Sequence, residues 1–280
     1  LSAKEFADGA FSVLLISLLV LIGAMELTMP WVIWILAPGF DTVKDKMTLA
    51  TELSRIAFPY LIFISLVSLQ SGVLNSLNRF AAAAAAPVLL NLTLITAMLG
   101  FADSQESAGH VLSWGVFAAG ALQFAWLDYH CRREGFPITW RRPRLTPNIR
   151  LLGKRILPVV FGSSLYQINL LIGTILASLV SDGAVSFLYY ADRVTQLPLG
   201  VVGVAVSTAL LPTLSKQLAA GKYIAAMKSQ NRGLEIALLL TLPAAVALYV
   251  IAEPLVVVLF ERGAFSATDS LATAWALMAY

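Results

Sequence analysis

The chain has 280 residues, 59% of them hydrophobic and only 12% charged, with a mean hydropathy of +0.81. Soluble domains carry roughly a quarter charged residues, so this composition excludes an ordinary soluble globule. The net charge of +3 and pI near 9.0 alone would suit a nucleic-acid binder, but the basic residues lie between apolar runs, which excludes nucleic acid as a partner and points to basic loops on a membrane face.

Crossing a hydrocarbon core of roughly 30 Å takes about 20 apolar residues in a helix. That rule places spans at 11–37, 49–78, 84–102, 109–131, 156–181, 184–217 and 233–260, with an eighth beginning near 269. The expected fold is all-α, a polytopic transmembrane bundle of seven spans and the start of another. Leu1 is not an initiator Met, no signal peptide opens the chain, and Ser270 to Tyr280 is an apolar helical run, so an internal piece of a longer protein is expected. Prolines inside spans, among them Pro59, Pro87, Pro158 and Pro198, read either as ordinary membrane-helix composition or as hinge points of a moving bundle.

Loop charge sets the orientation. Fourteen Lys and Arg residues, including Lys4, Arg79, Arg132, Arg133, Arg150, Lys216 and Arg232, fall on one side, against Lys44, Lys46 and Arg262 on the other. The basic side is cytoplasmic by the positive-inside rule. The longest polar stretch, Arg132 to Arg150, reads as a cytoplasmic loop, either a topogenic linker or a contact for anionic membrane lipids. The expected organisation is four helices in 1–131, a basic linker in 132–155, and the first part of a second lobe in 156–280. A short repeat supports two lobes. Pro30 to Phe40 reads PWVIWILAPGF and Pro254 to Phe265 reads PLVVVLFERGAF, each followed by a Leu-Ala-Thr, at Leu49 and Leu271. The copies lie six spans apart and so share an orientation, a parallel repeat of the kind found in two-lobe transporters.

An ionisable residue inside a span is a functional candidate by default. Arg193 lies about ten residues, or ~15 Å, into its span, near the bilayer middle. Ser186, Tyr189, Tyr190, Gln196 and Gly200 lie at helical spacing from it as a polar stripe. Arg193, Asp192, Tyr190 and Gln196 are the candidate substrate-binding residues, since a guanidinium fork suits phosphate. The alternative is a buried Arg193–Asp192 pair that fixes helix packing. Glu52 and Arg55 are spaced for an intrahelical pair at the outer interface, and Glu26 reads as an interfacial carboxylate. Asn75, Asn78, Asn91, Gln167 and Asn169 are expected to bond between helices. Gly200, Gly203 and Ser207 form a small-residue packing face. One cysteine, Cys131, permits neither a disulfide nor a cysteine metal cage, and His110 and His130 lie at opposite ends of one apolar segment. With no Walker A loop, metal motif or Ser/His/Asp set, neither an enzyme, a metal nor a cofactor is expected. An integral-membrane prenyl-lipid enzyme would need clustered interfacial carboxylates or histidines, where this chain has only scattered Asp8, Asp128, Glu134 and Glu235.

The run from Tyr189 to Lys216, YYADRVTQLPLGVVGVAVSTALLPTLSK, closely resembles the MurJ (MviN) lipid II flippases of the multidrug/oligosaccharidyl-lipid/polysaccharide exporter superfamily. Further matches follow in order along nearly the whole chain: APGF at Ala37, FPYLIFISLVSL at Phe58, LNSLNRF at Leu74, PVLLN at Pro87, QINLLIGTILAS at Gln167 and GAF at Gly263. The resemblance implies a flippase that moves the undecaprenyl-pyrophosphate-linked peptidoglycan precursor across the bacterial inner membrane by alternating access through a cationic cavity. It implies contact with membrane lipids and with cell-wall synthesis proteins. It also implies two six-helix lobes plus two further helices, with the first span here as the family's third. On that template Arg193 falls on the cavity arginine of the family's eighth helix, with Asp192 beside it. Gly173 stands where some relatives carry a sodium-site aspartate, which puts sodium coupling through that ligand in doubt. A related exporter of drugs or other lipid-linked sugars is the alternative.

Overall fold

The computed structural model describes residues 3–42, 45–102, 105–143 and 146–280. Ten α-helices run through them: α1 (Ala3–Leu36), α2 (Lys46–Ala57), α3 (Tyr60–Ser76), α4 (Phe80–Phe101), α5 (Gln105–Arg133), α6 (Pro147–Val180), α7 (Ala184–Ala219), α8 (Tyr223–Val250), α9 (Ala252–Phe260) and α10 (Ala267–Ala279). Among the described residues, six helical segments are long and apolar enough to cross a membrane. The two arms of α6, 147–162 and 167–180, bent by 46°, make a seventh if counted as one span. The expected membrane bundle is therefore present, with six spans, or the expected seven when α6 counts as one.

Several breaks have a local cause. Expected span 49–78 is α2 and α3 joined at Phe58–Pro59, where proline has no N–H to continue the helix and the turn tightens through Leu61 N–H to Phe58 O at 3.0 Å. Expected span 233–260 is interrupted at Ile251, and its helix starts at Tyr223, well before the apolar run, because residues 223–232 extend α8 past the hydrocarbon. Gly135 ends α5 at φ +75°, and Phe136 N–H closes onto Cys131 O at 2.9 Å, a helix stop that needs a left-handed residue.

Contacts divide the chain into two compact units, residues 1–175 and 176–280. In the first, α5 packs against α3 and α4 at two glycines. A Cβ on Gly120 would stand 2.6 Å from Tyr60 Cδ2 and 3.0 Å from Phe63 Cβ, and one on Gly115 3.3 Å from Ala97 Cβ, so only glycine lets the backbones approach this closely. The core gathers Phe11, Leu66, Val67, Leu74, Leu127 and Cys131. Buried Gln123 donates to Ala86 O at 2.7 Å and accepts from the Tyr60 hydroxyl at 3.3 Å, while Trp126 Nε1 donates to Ala82 O at 3.1 Å, tying α5 to the backbone of α4.

The residues expected as a simple basic loop are more structured than that. After Gly135 the chain runs extended along the basic end of α1, and Ile138 enters the core. Thr139 N–H donates to Asp8 Oδ1 and Arg141 N–H to Ser12 Oγ, both at 2.8 Å. Arg141 Nε lies 3.1 Å from Asp8 Oδ2, off the hydrogen-bond line, so that contact is an ion pair. Asp8 and Ser12 are fully buried. From Pro147 onward the stretch is already α6, with proline at a position where a missing N–H costs nothing.

In the second unit α7 and α8 pack side by side, and α10 lies against α7 and α9 over a core of Ala191, Val194, Ala252, Val256, Ala274 and Leu277. Helix α10 opens with a capping box, Ser266 accepting from Asp269 N–H while the Asp269 carboxylate accepts from Ser266 N–H.

Candidate functional site

Helix α7 is launched from Gly183, whose φ of +85° turns the chain after α6. Ala191 and Val194 face the core and fix the helix's rotation, which leaves Arg193 on the exposed side of the unit. The guanidinium bonds along its own helix: Nη2 and Nε donate to the Tyr189 hydroxyl at 2.9 and 3.2 Å, and Nη1 to Gln196 Oε1 at 3.4 Å. Its carbon lies 5.1 Å from the centre of the Tyr189 ring, within cation–π range. Gln196 turns its other amide atom, Nε2, to donate to Asp192 Oδ2. One glutamine thus links cation and carboxylate, which point about 100° apart on the helix and meet through the amide.

Of the four candidates, Arg193, Asp192 and Gln196 form one network with Tyr189. Tyr190 points elsewhere: its ring packs 4.7 Å from that of Phe260 and 5.3 Å from that of Phe265, in the aromatic cluster at the α7–α9 end. A guanidinium carries five N–H donors in a rigid fork, and the bonds above engage three. The remaining two have no partner among the described residues. From Gln196 a shallow trough of about 480 Å³ continues along α7 past Gly200, Gly203 and Ser207. The small residues expected to pack a neighbouring helix leave open space here, with nothing within 4 Å of a Cβ at Gly200 or Gly203.

The outer-end charges of the first unit are paired differently from expectation. Glu52 lies 3.3 Å from His110 Nε2 on α5, and Arg55 donates to the Glu26 backbone carbonyl at 3.3 Å, so both residues reach to neighbouring helices instead of to each other. The amides Asn75, Asn78, Asn91, Gln167 and Asn169 are exposed, and Asn78 serves as a left-handed helix stop at φ +59°. Among the described residues, the buried amides are Gln70 and Gln123. Asp8 and Ser12 also escape a reading by hydropathy, because Asp8 precedes the expected span and Ser12 sits at its first turn, although their four-residue spacing puts them on one face.

A family model described as lipid II flippase MurJ matches residues 2–280. The chain is 47% identical over 283 residues to the probable lipid II flippase MurJ of Rhizobium meliloti (strain 1021), covering 99% of this chain and 52% of that protein. It is 35% identical over 286 residues to the lipid II flippase MurJ of Burkholderia cenocepacia, covering 100% of this chain and 55% of that one. A solved structure of a lipid II flippase MurJ in an inward closed conformation superposes with a TM-score of 0.81 at 24% identity, over all of this chain and 58% of that one. The chain spans about half the length of the curated relatives it matches.

Proposed function

The chain belongs to the lipid II flippase MurJ family, and on that premise we propose that it forms part of a lipid II flippase of the bacterial inner membrane, with Arg193 gripping the pyrophosphate of the lipid-linked precursor. Residues 1–131 supply the last four helices of the first lobe, 132–155 the linker, and 156–280 the opening helices of the second. The observation that carries the role of Arg193 is its unspent hydrogen-bonding capacity on an exposed face near mid-span. A cation held there against the cost of leaving water has a compensating use. Two parallel N–H donors match two phosphate oxygens. Tyr189 and Gln196 hold the fork in place, and Asp192, through Gln196, fixes the amide so that its oxygen faces the arginine. Alternating access then moves the headgroup between the two faces while the prenyl chain stays in lipid. Cell-wall synthesis proteins that make and consume the precursor are the fitting partners.

The test is translocation of lipid II by the full-length protein. Arg193→Ala is expected to abolish it at unchanged membrane abundance. Arg193→Lys is expected to retain partial activity, because an ammonium keeps the charge and loses the bidentate fork. Full activity of Arg193→Ala would overturn the assignment.

A further inference from the structure

A groove of about 640 Å³ runs between α7 and α8. Val201, Leu210, Ile236 and Leu240 are among the apolar side chains along it. Lys228 and Arg232 line its other end, where α8 leaves the apolar run. The helices are antiparallel, so residues 201–213 of α7 and 240–228 of α8 run alongside each other for about 18 Å at 1.5 Å per residue. With the turn that carries the two cations at headgroup level, the rest fits within one leaflet of a hydrocarbon core roughly 30 Å thick. Gly233 closes the back of the groove: a Cβ there would stand 2.6 Å from Leu210 Cδ2.

The shape suits the upper part of a lipid: the apolar stretch 233–240 would take about 11 Å of an acyl chain at 1.5 Å per residue, with two cations at headgroup level. Lys228 and Arg232 are four residues apart on one helix face and both are exposed. Like charges at this spacing destabilise a helix, a cost that an anion bound between them removes. Arg232 Nη1 is held by Glu235 Oε2 at 3.0 Å, which leaves most of its fork unengaged by that partner. The groove lies on the basic side, where anionic headgroups collect basic residues.

We propose that this groove binds one anionic phospholipid of the cytoplasmic leaflet, its acyl chain between α7 and α8 and its phosphate between Lys228 and Arg232. The site is separate from Arg193 and does not depend on the flippase reading. Each basic group at a membrane surface contributes on the order of fivefold to anionic-lipid affinity, so the pair predicts a preference of roughly 25-fold over a zwitterionic lipid.

The experiment uses the full-length protein in phosphatidylcholine vesicles doped with phosphatidylglycerol carrying a diazirine on one acyl chain, beside the same probe built on phosphatidylcholine. The phosphatidylglycerol probe is expected to cross-link residues 201–213 and 233–240 preferentially, and to fall to the phosphatidylcholine level in the Lys228→Gln/Arg232→Gln variant. Should the double variant misfold, Lys228→Gln alone is expected to lose about fivefold of the preference. Equal labelling by both probes, or a preference unchanged by these substitutions, overturns the proposal. Loss of labelling to excess inorganic phosphate would instead identify a free-phosphate site, and loss to added lipid II a substrate path. Either result also overturns it.

Discussion

Asp8 and Arg193 are both charged residues of membrane-crossing helices, and their surroundings differ in kind. Asp8 is fully buried and its carboxylate is met from outside its own helix, by Thr139 N–H and the Arg141 guanidinium. Arg193 is exposed, and the partners of its guanidinium, Tyr189 and Gln196, lie within one helical turn. The first arrangement holds together pieces of chain distant in sequence; the second holds a side chain in position from within its own helix, with two guanidinium donors unengaged among the described residues. A charge in a membrane protein is costly in either case. What distinguishes fastening from binding is whether the surrounding fold consumes the charge.

The contrast predicts stability effects in the first unit and transport effects at Arg193. Arg141→Ala should cost about 2–3 kcal/mol, because it strands a buried carboxylate, and less than a fully buried pair because Arg141 is half in solvent. In the Asp8→Ala/Arg141→Ala variant the cost should fall below the sum of the two single changes, since the partners act as a unit. Thermal unfolding of the full-length protein in detergent measures both, and transport per folded molecule should stay constant. Additive costs would show that the ion pair fastens nothing. Gly120→Ala should cost about 1–3 kcal/mol by pushing α5 off Tyr60 and Phe63, again without a separate effect on transport. Ser266→Ala removes one helix cap on an exposed turn and should cost about 1 kcal/mol or less. A loss there as large as that from Arg141→Ala would break the contrast between a cross-tied first unit and a locally bonded second one.

The membrane fold was legible because long apolar runs admit few alternatives, and every expected span has its helix or helix pair. Boundaries were harder to read where a helix outruns the bilayer. Tyr223 to Arg232 is polar enough to pass for a loop, yet it continues α8, since backbone bonding does not stop at the hydrocarbon edge. Helical spacing put Arg193 and Gln196 one turn apart, where they hydrogen-bond, but it put Tyr190 in the same stripe, whereas the direction of that ring is set by Phe260 and Phe265, seventy or more residues away in sequence. The fastening of the linker to α1 left no local signal at all. Asp8 meets Thr139 across 131 positions, and only the folded chain brings them together.

The role of Arg193 is tested most directly by the Asp192→Ala/Arg193→Ala variant, with lipid II translocation measured at matched membrane abundance. If Arg193 binds the pyrophosphate, the double variant is as inactive as Arg193→Ala and equally well inserted. If the two residues merely neutralise each other, removing both exchanges one neutral packing arrangement for another. Translocation restored in the double variant would contradict binding by Arg193.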